Sequence, residues 1–457
     1  MRVNEGDSHV VPPLRMAERG SGGEAQDAHT GRARALAREC TALIAALFLS
    51  SCHPAAGGTV LDFWGLGREG EVVAQLIPAF ERENPGVRVR VQQIPWTAAH
   101  EKLLTAYVGK ATPDVAQLGN TWVPEFAALH ALLPLDSLVA ASAQVHESSY
   151  FHGIWLTNVV NGPLYGIPWY VDTRLLFYRT DLLARAGFAA PPTTWPEWRT
   201  QLRALKALGG PNRYAIFLPT NEWFQPVIFG LEAGSPILKD DGRYGAFSDS
   251  DFARAFAFYL DLFRTGLAPV LGINDIGNMH QEFGRGLFAM YITGPWNIGE
   301  FRRRLGPEMQ GKWATAPLPG PDGPASGVSM AGGSSLVLFH ASRHRAEAWK
   351  LVEFLSRPEQ QVRFYHLTGD LPARTEAWRD TALAGDAATH AFWVQLQRVV
   401  PLPQVPEWEL IATRVFDYAE QAIRGGVPAE TALARLDDEV DRILARRRAL
   451  LARAARP

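Results

Sequence analysis

Strand-like and helix-like segments alternate along this chain from about residue 59 onward, and this alternation limits the possible folds more than any other feature. TVLDFWGLG reads as a short apolar strand, and GREGEVVAQLIPAFEREN after it places apolar residues at helical spacing. VRVRVQQI alternates apolar and polar residues like a strand with one solvated face, and AAHEKLLTAYVGK returns to helical spacing. This β-α-β-α-β order predicts an α/β fold with a mainly parallel sheet and helices on both faces.

The rest of the chain repeats the pattern. WPEWRTQLRALKAL predicts a helix with Thr194 as its N-cap and Glu197 three residues later, and GLFAMYITGPWNIGEF reads as strand, turn and helix. The segment PLPGPDGPASGVSMAGGSSL is rich in glycine and proline and predicts a crossing between two lobes. Because 457 residues exceed what one ordinary core supports, two lobes are expected.

The first residues differ from the rest. Residues 1–30 are polar and lack a hydrophobic period, which fits disorder or an overextended start, with Met16 an equally consistent beginning. The basic GRARALAREC, the apolar TALIAALFL and SSC then predict a signal peptide over 31–51. The sequence LSSC resembles a bacterial lipobox, in which Cys52 carries lipid and 52–58 forms a spacer; an ordinary signal peptide is the alternative.

Composition excludes several classes of function. The second of the two cysteines is Cys52 and Cys40 precedes it, so we expect no disulfide and no cysteine metal site in the mature domain. The net charge of −2 gives no basic surface for nucleic acid. The histidines show no metal spacing, and GLGREG lacks the spacing of a dinucleotide motif, so no metal and no cofactor are expected.

The stretch GIPWYVDTRLLFYR, residues 166–179, combines a strand-like second half with polar residues in its first half. Asp172 and Arg174 are unusual there, since aspartate and arginine are rarely fully buried unless paired. They could form an internal ion pair, or they could form a ligand platform with Trp169 and Tyr170.

Several polar and aromatic groups share one position, where a predicted strand passes to a helix: Gly65–Glu69, Asn120–Trp122, Trp169–Arg174 and Trp296-Asn297. In open α/β sheets ligands bind at that edge, so the pattern favours the platform.

The pooled residues suit a neutral sugar, because indole faces pack on C–H faces while carboxylates and amides bind hydroxyls. The candidates are Trp64, Glu69, Trp96, Asn120, Trp122, Trp169, Tyr170, Asp172, Trp223, Trp296, Trp408 and Glu409. A glycosidase would need a carboxylate pair, for which Glu69, Asp172 or Glu409 could be nominated. Motifs such as GxSxG and HExxH are absent from the sequence, so we expect a binding protein rather than an enzyme.

An ordered set of motifs resembles one family. PDVAQLGNTWVPEFAALHALLPLD, YGIPWYVDTRLLFYRTDLLARAG, PPTTWPEW, AMYITGPWNIGEF, GGSSLVLF, GDLPAR and VPEWELI are similar to the family 1 extracellular solute-binding proteins of bacterial ABC sugar importers, nearest to maltose- and trehalose-binding types. His130 departs from this pattern and is interpreted as surface variation.

The resemblance implies a type II periplasmic binding protein fold, with two α/β lobes joined by crossover strands around a ligand cleft. The first lobe would comprise 59–166 and 329–380, and the second lobe 167–328 and 381–457. Closure would be a hinge motion stabilised by sugar contacts from both lobes.

The resemblance also implies the ligand-binding residues. Glu69 and Asp172 would accept hydroxyl protons, Gly332 and Gly333 would be backbone donors and Arg374 a side-chain donor, while Arg174 would contact ligand or only orient Asp172. The full set is Glu69, Trp96, Asn120, Thr121, Trp122, Tyr170, Asp172, Arg174, Trp223, Trp296, Gly332, Gly333, Arg374 and Trp408.

The implied partners are a neutral di- or oligosaccharide and the permease subunits of an ABC transporter with their ATPase. We expect an exported monomer, periplasmic or at the cell surface and attached to a membrane only through lipid on Cys52. A secreted glycosidase and a tethered sugar sensor of the same fold are the alternatives.

Overall fold

The computed structural model describes residues 58–454, which belong to one compact unit. The predicted start at 1–30, signal peptide at 31–51, lipidated Cys52 and spacer up to residue 57 lie outside the described residues.

Thirteen strands form the sheets of the described chain. They are β1 Thr59–Leu66, β2 Val87–Ile94, β3 Val115–Gly119, β4 Ile167–Asp172, β5 Leu175–Arg179, β6 Tyr214–Phe217, β7 Leu238–Lys239, β8 Tyr244–Gly245, β9 Phe288–Thr293, β10 Trp313–Ala316, β11 Ser329–Leu338, β12 Leu371–Pro372 and β13 Val399–Pro401.

The α-helices lie between and around these strands. They are α1 Gly67–Val73, α2 Ile77–Glu83, α3 Trp96–Val108, α4 Val123–Ala128, α5 Asp136–Ala141, α6 His152–Leu156, α7 Thr180–Arg185, α8 Trp195–Gly209, α9 Phe224–Glu232, α10 Ser250–Arg264, α11 Met279–Arg285, α12 Trp296–Arg304, α13 Arg345–Leu355, α14 Pro358–Thr368, α15 Thr381–Ala384, α16 Ala387–Leu396, α17 Trp408–Ile423, α18 Ala429–Ile443 and α19 Ala445–Ala454.

The first sheet has the strand order β12-β4-β11-β3-β1-β2, with β13 paired to β11. Strand β1 pairs in parallel with β2 and β3, as the alternation of strand and helix predicts. Strand β11 is antiparallel to β3 and β4, and β12 is antiparallel to β4, so the sheet is mixed rather than mainly parallel. The reason is that the chain enters β11 from the second sheet and not through a β-α-β crossover from a neighbouring strand. Strand β11 therefore runs opposite to β1–β3, whereas β4 runs in the same direction as they do.

The second sheet has the order β10-β5-β9-β6. Because β4 belongs to the first sheet and β5 to the second, the chain passes between the sheets at Thr173 and Arg174. It returns through residues 317–328. These residues lie in the glycine- and proline-rich segment for which the sequence predicts a crossing between the lobes. The chain changes sheet only after β4, which ends at Asp172. The lobe boundary expected between residues 166 and 167 stays a prediction.

Two large apolar clusters stabilise the described chain. One cluster runs through both sheets and includes Phe63 of β1 and Phe177 of β5. The other lies between the second sheet and its helices and includes Trp198, Tyr259 and Trp408. The two sheets are therefore the centres of two α/β lobes, which the first cluster connects.

Two of the helix predictions had different outcomes. The side chain of Thr194 accepts a hydrogen bond from the Glu197 N–H and caps α8, which confirms the predicted capping pair. The long helix expected from GREGEVVAQLIPAFEREN is wrong, because the chain turns at residues 74–76 and starts again as α2. Pro78 lies in the first turn of α2, where its missing N–H costs no helical hydrogen bond.

None of the helices within residues 58–454 is long and apolar enough to cross a membrane. In the same part of the chain, no group of three or more His, Cys, Asp or Glu side chains is arranged to hold a metal ion.

Candidate functional site

A cavity of about 430 Å³ opens where the ends of both sheets face each other. Its lining includes eleven of the predicted ligand residues. They are Glu69, Trp96, Asn120, Thr121, Trp122, Tyr170, Asp172, Trp223, Trp296, Gly332 and Gly333.

The strands explain why residues so distant in sequence meet there. Glu69 lies in α1 after β1, Trp96 begins α3 after β2, and Asn120 follows β3 directly. In the second sheet, Trp223 follows β6 and Trp296 follows β9. Each of these residues therefore comes from the carboxyl end of a strand, the edge at which α/β folds bind ligands.

The two glycines owe their place to the pairing of β11 with β4. Gly332 is opposite Asp172 in the register, and Gly333 is opposite Val171. Gly333 has a φ of +131°, and a Cβ atom there would lie 2.2 Å from the carbonyl oxygen of Tyr170. Only glycine allows this close approach of the two strands, so Gly333 is needed to place Tyr170 and Asp172 at the cavity.

A hydrogen-bond network fixes Glu69 in the wall of the cavity. The hydroxyl of Tyr170 donates to Glu69 Oε1 at 3.1 Å, and the indole N–H of Trp96 reaches Oε2 at 3.3 Å. Tyr170 is itself held by the buried Gln117, whose Nε2 donates to the tyrosine hydroxyl at 3.2 Å, and by Ser334 at 3.0 Å. The carboxylate of Glu69 is thus oriented before any ligand arrives.

Asp172 and Arg174 form an ion pair, so both of the interpretations of GIPWYVDTR describe part of the site. The guanidinium of Arg174 lies between two rings, 4.7 Å from the centroid of Phe224 and 4.5 Å from that of Trp296. Arg174 does not line the cavity, whereas Asp172 does. In this geometry Arg174 orients Asp172.

Aromatic rings form two walls of the cavity. The rings of Trp96 and Trp122 lie edge-on with centroids 5.7 Å apart on the side of the first sheet. Trp296 stands on the side of the second sheet and is 42% exposed, which leaves indole surface free for a ligand.

Thr121 connects the cavity to a helix of the second sheet's cluster. Thr121 lies beside Glu409 in α17, and burial raises the pKa of the Glu409 carboxyl against the opposing effect of Thr121. Glu409, nominated as one carboxylate of a glycosidase pair, does not line the cavity.

Two predicted ligand residues need correction. Arg374 lies away from the cavity, because its guanidinium donates to the carbonyl oxygens of Gln144 at 2.7 Å and Ser356 at 3.2 Å and pairs with Glu376. Trp408 is only 1% exposed and packs edge-on against Trp223 at 5.6 Å. It supports the wall that contains Trp223 from behind instead of forming the wall.

Two further tryptophans of the pooled set do not line the cavity. Trp169 is 1% exposed and packs on Phe364, with the ring centroids 4.3 Å apart. Trp64 packs against two apolar clusters of the first sheet, and Lys102 lies over its ring. Both are core or supporting residues.

The sequence interpretation missed Asp370, which lines the cavity from the loop between α14 and β12. Asp370 also lines a second, larger cavity of about 940 Å³, which shares Glu69 and Trp296 with the first. The only sequence signal is its position after Gly369, a turn glycine at a helix end, directly before the Leu-Pro-Ala-Arg segment from which Arg374 was chosen.

Burial controls the charge of the site. It raises the pKa of Glu69 and that of Asp172, the latter in spite of the opposing effect of Arg174. The pKa of Asp370 is raised to about 7, by burial first and then by the nearby charge of Glu69. The carboxyl group of Asp370 can therefore donate as well as accept a hydrogen bond near neutral pH.

This arrangement is suited to binding a polar, uncharged molecule. Oriented carboxyl and amide groups match a set of hydroxyls, and the indole faces match apolar C–H surfaces.

The chain matches a known family and is similar to a solved structure. Residues 64–362 match the family described as bacterial extracellular solute-binding protein. The chain is similar to the sugar-binding protein MalE from Xanthomonas citri, with 48% identity and a TM-score of 0.84 over 86% of this chain and 99% of that chain.

Two further matches are more distant. An ABC transporter solute-binding protein from Thermotoga lettingae, bound with α-D-tagatose, is 25% identical with a TM-score of 0.70 over 85% of this chain and 100% of that chain. An uncharacterized lipoprotein of Streptomyces antibioticus is 29% identical over 388 residues, which cover 79% of this chain and 83% of the relative.

Proposed function

The chain belongs to the bacterial extracellular solute-binding proteins, and from this premise we propose that it captures a neutral sugar for an ABC importer. The sugar is an α-linked disaccharide such as trehalose or maltose, bound in the cavity between the two sheets. The protein presents it to the permease subunits in the membrane and catalyses no reaction itself.

The composition of the cavity supports this proposal most directly. A volume of about 430 Å³ falls in the range of small-molecule sites and suits a ligand of disaccharide size. Trp296 offers an exposed indole face, and Glu69 and Asp172 are held in place by their own partners. The 48% identity to a sugar-binding protein supports the same class of ligand.

The two lobes close around the sugar by a hinge motion. The residues that line the cavity come from both sheets, and the sheets are joined by the connections at 173–174 and 317–328. A sugar that contacts Asp172 on one side and Trp296 on the other stabilises the closed arrangement, because those contacts are complete only there.

Export and anchoring are also part of the proposal. We assign Cys52 as the lipidated residue that attaches the protein to a membrane on the periplasmic or cell-surface side, where it acts as a monomer. The lipobox-like LSSC supports this assignment, as does the similarity to a lipoprotein of Streptomyces.

Calorimetric titration of the purified protein with trehalose, maltose, sucrose and glucose tests the proposal, with each mixture analysed afterwards for cleavage. We expect saturable one-to-one binding of trehalose or maltose and an intact sugar. Absence of binding to both disaccharides contradicts the proposed ligand, and cleavage of the bound sugar contradicts a pure binding function.

A further inference from the structure

Asp370 occupies a turn that aims it at the cleft. Helix α14 ends at Thr368, and Gly369 adopts a left-handed conformation with a φ of +86°. The backbone N–H of Asp370 then donates to the Thr368 hydroxyl at 3.0 Å, before β12 begins at Leu371. The side chain is therefore placed by backbone geometry and not by a partner of opposite charge.

Asp370 lies where two neighbouring cavities meet. It lines both the cavity of about 430 Å³ and the neighbouring one of about 940 Å³, and Glu69 and Trp296 do the same. A sugar bound in the smaller cavity and water in the larger one both meet this carboxyl group.

The charged neighbours of Asp370 are mostly of the same sign. The negative charges of Glu69 on α1 and Asp172 on β4 both raise the pKa of Asp370. The same three acids raise the pKa of the Tyr170 hydroxyl. The positive charge of Arg68 lowers the pKa of Asp370, but the guanidinium itself donates to the carbonyl oxygen of Leu367 at 3.0 Å.

The remaining charged groups of the larger cavity are occupied or exposed. Arg302 pairs with Asp386, and Arg303 pairs with Glu300. His366, on the helix before Asp370, is paired with Asp380 at 3.6 Å. Among residues 58–454, no Lys, Arg or His side chain forms an ion pair with either Glu69 or Asp370, whereas Arg174 neutralises Asp172.

We infer that Asp370 and Glu69 act as a carboxyl pair that holds one proton when sugar is bound, so that sugar binding is coupled to proton uptake near neutral pH. This inference rests on the proposed function, and it assigns to Asp370 a specificity role for neutral ligands. One carboxyl of the pair accepts a hydroxyl proton, and the other donates to a hydroxyl oxygen.

The physical reason is that an uncharged sugar replaces water but supplies no charge. When it fills the cleft, two carboxylates lose solvent screening, and their repulsion grows. Keeping one of them protonated removes this cost. Since the pKa of Asp370 is already about 7 without ligand, a further rise of about one unit on binding takes up roughly half a proton per sugar from the buffer at about pH 7–8.

Titration calorimetry of the full protein with maltose and with trehalose, from pH 6.0 to 8.5 in two buffers of different ionisation enthalpy, tests the inference. The wild-type affinity is expected to weaken about tenfold over this range, equivalent to a rise of about one unit in the pKa on binding, with net proton uptake. Asp370→Asn keeps the shape of the side chain but cannot titrate. The sugar affinity of this variant is expected to change by less than about twofold between pH 6.0 and 8.5.

Asp251→Asn is the matched control, because Asp251 is an exposed aspartate on α10 outside both cavities. It should keep the wild-type pH profile. Binding of either sugar that is independent of pH and releases or takes up no proton overturns the role of Asp370 and leaves the sugar-binding function standing. No binding of either sugar at any pH overturns the proposed function, and this inference with it.

Discussion

The guanidinium of Arg174 lies over the indole ring of Trp296, 4.5 Å from its centroid. Arg174 stands where the chain passes from the first sheet to the second, and Trp296 begins the helix after β9 of the second sheet. The same guanidinium pairs with Asp172. The carboxylate of Asp172 and the exposed ring of Trp296 are thereby linked through one cation at the crossover.

Asp172→Ala is expected to weaken disaccharide binding by roughly tenfold to a thousandfold, since a hydrogen bond to a charged group contributes about 1.5–3 kcal/mol or more. Calorimetric titration measures the loss, and a thermal melt confirms that the variant is folded. Asp172→Asn, which retains one acceptor oxygen, should lie between the wild type and the alanine variant. Unchanged affinity in folded Asp172→Ala removes Asp172 from the binding site.

Arg174→Lys is expected to weaken sugar binding by about twofold to thirtyfold, the equivalent of 0.5–2 kcal/mol for a cation held over an aromatic ring. Lysine keeps the charge but cannot stack a planar group between Phe224 and Trp296 while pairing with Asp172. Wild-type affinity in the lysine variant would show that charge alone positions Asp172.

The tryptophans show what the sequence could and could not predict. Trp296 and Trp408 both follow a proline-containing turn at the start of a helix, and the sequence treats them alike. Trp296 is 42% exposed in the cleft and Trp408 is 1% exposed. The difference arises from the packing of α17 against the helices of the second sheet, a long-range contact that local spacing does not encode.

The alternation of strand and helix did predict the α/β class and the edge at which the polar residues gather. It could not predict Asp370, because the cavity reaches that residue through the return of β12 to the first sheet beside β4. Nor could it show that Arg374, four residues further, turns inward to bind the carbonyl oxygens of Gln144 and Ser356.

The two tryptophans also give a paired prediction. Trp296→Ala should lower sugar affinity at least tenfold and change the free energy of unfolding by less than about 1 kcal/mol, because the ring is substantially exposed. Trp408→Ala should destabilise the fold by about 3–5 kcal/mol, as expected for a large buried side chain. Urea unfolding and titration of both variants check the contrast, and a reversed pattern contradicts the assignment of the cavity wall.

Gly333→Ala is expected to destabilise the protein by about 2 kcal/mol or more, because the new Cβ would meet the Tyr170 carbonyl oxygen and the backbone has a positive φ. Sugar affinity should fall too, since β4 carries Tyr170 and Asp172. Gly277→Ala is the matched control, with open space around its Cβ and no positive φ. Equal melting temperatures for the two variants would refute the close approach of β4 and β11.

Asp370 also makes the stability of the ligand-free protein depend on pH. Its pKa is about 7 when folded, against the ordinary 3.8, so the folded state binds this proton more tightly than the unfolded state. Its contribution is therefore fully present below about pH 4 and is lost as the pH rises to about 7. Asp370→Asn should lose less stability than the wild type between pH 5 and 8 in urea unfolding, whereas parallel curves for the two proteins exclude the raised pKa.

Determining the structure of the protein with the disaccharide that binds in the titration tests sugar capture between the two sheets most directly. The predicted result is a sugar in the cavity of about 430 Å³, with a hydroxyl within hydrogen-bonding distance of Asp172 and one ring face against Trp296. A sugar bound elsewhere on the protein, with this cavity filled only by water, would contradict it.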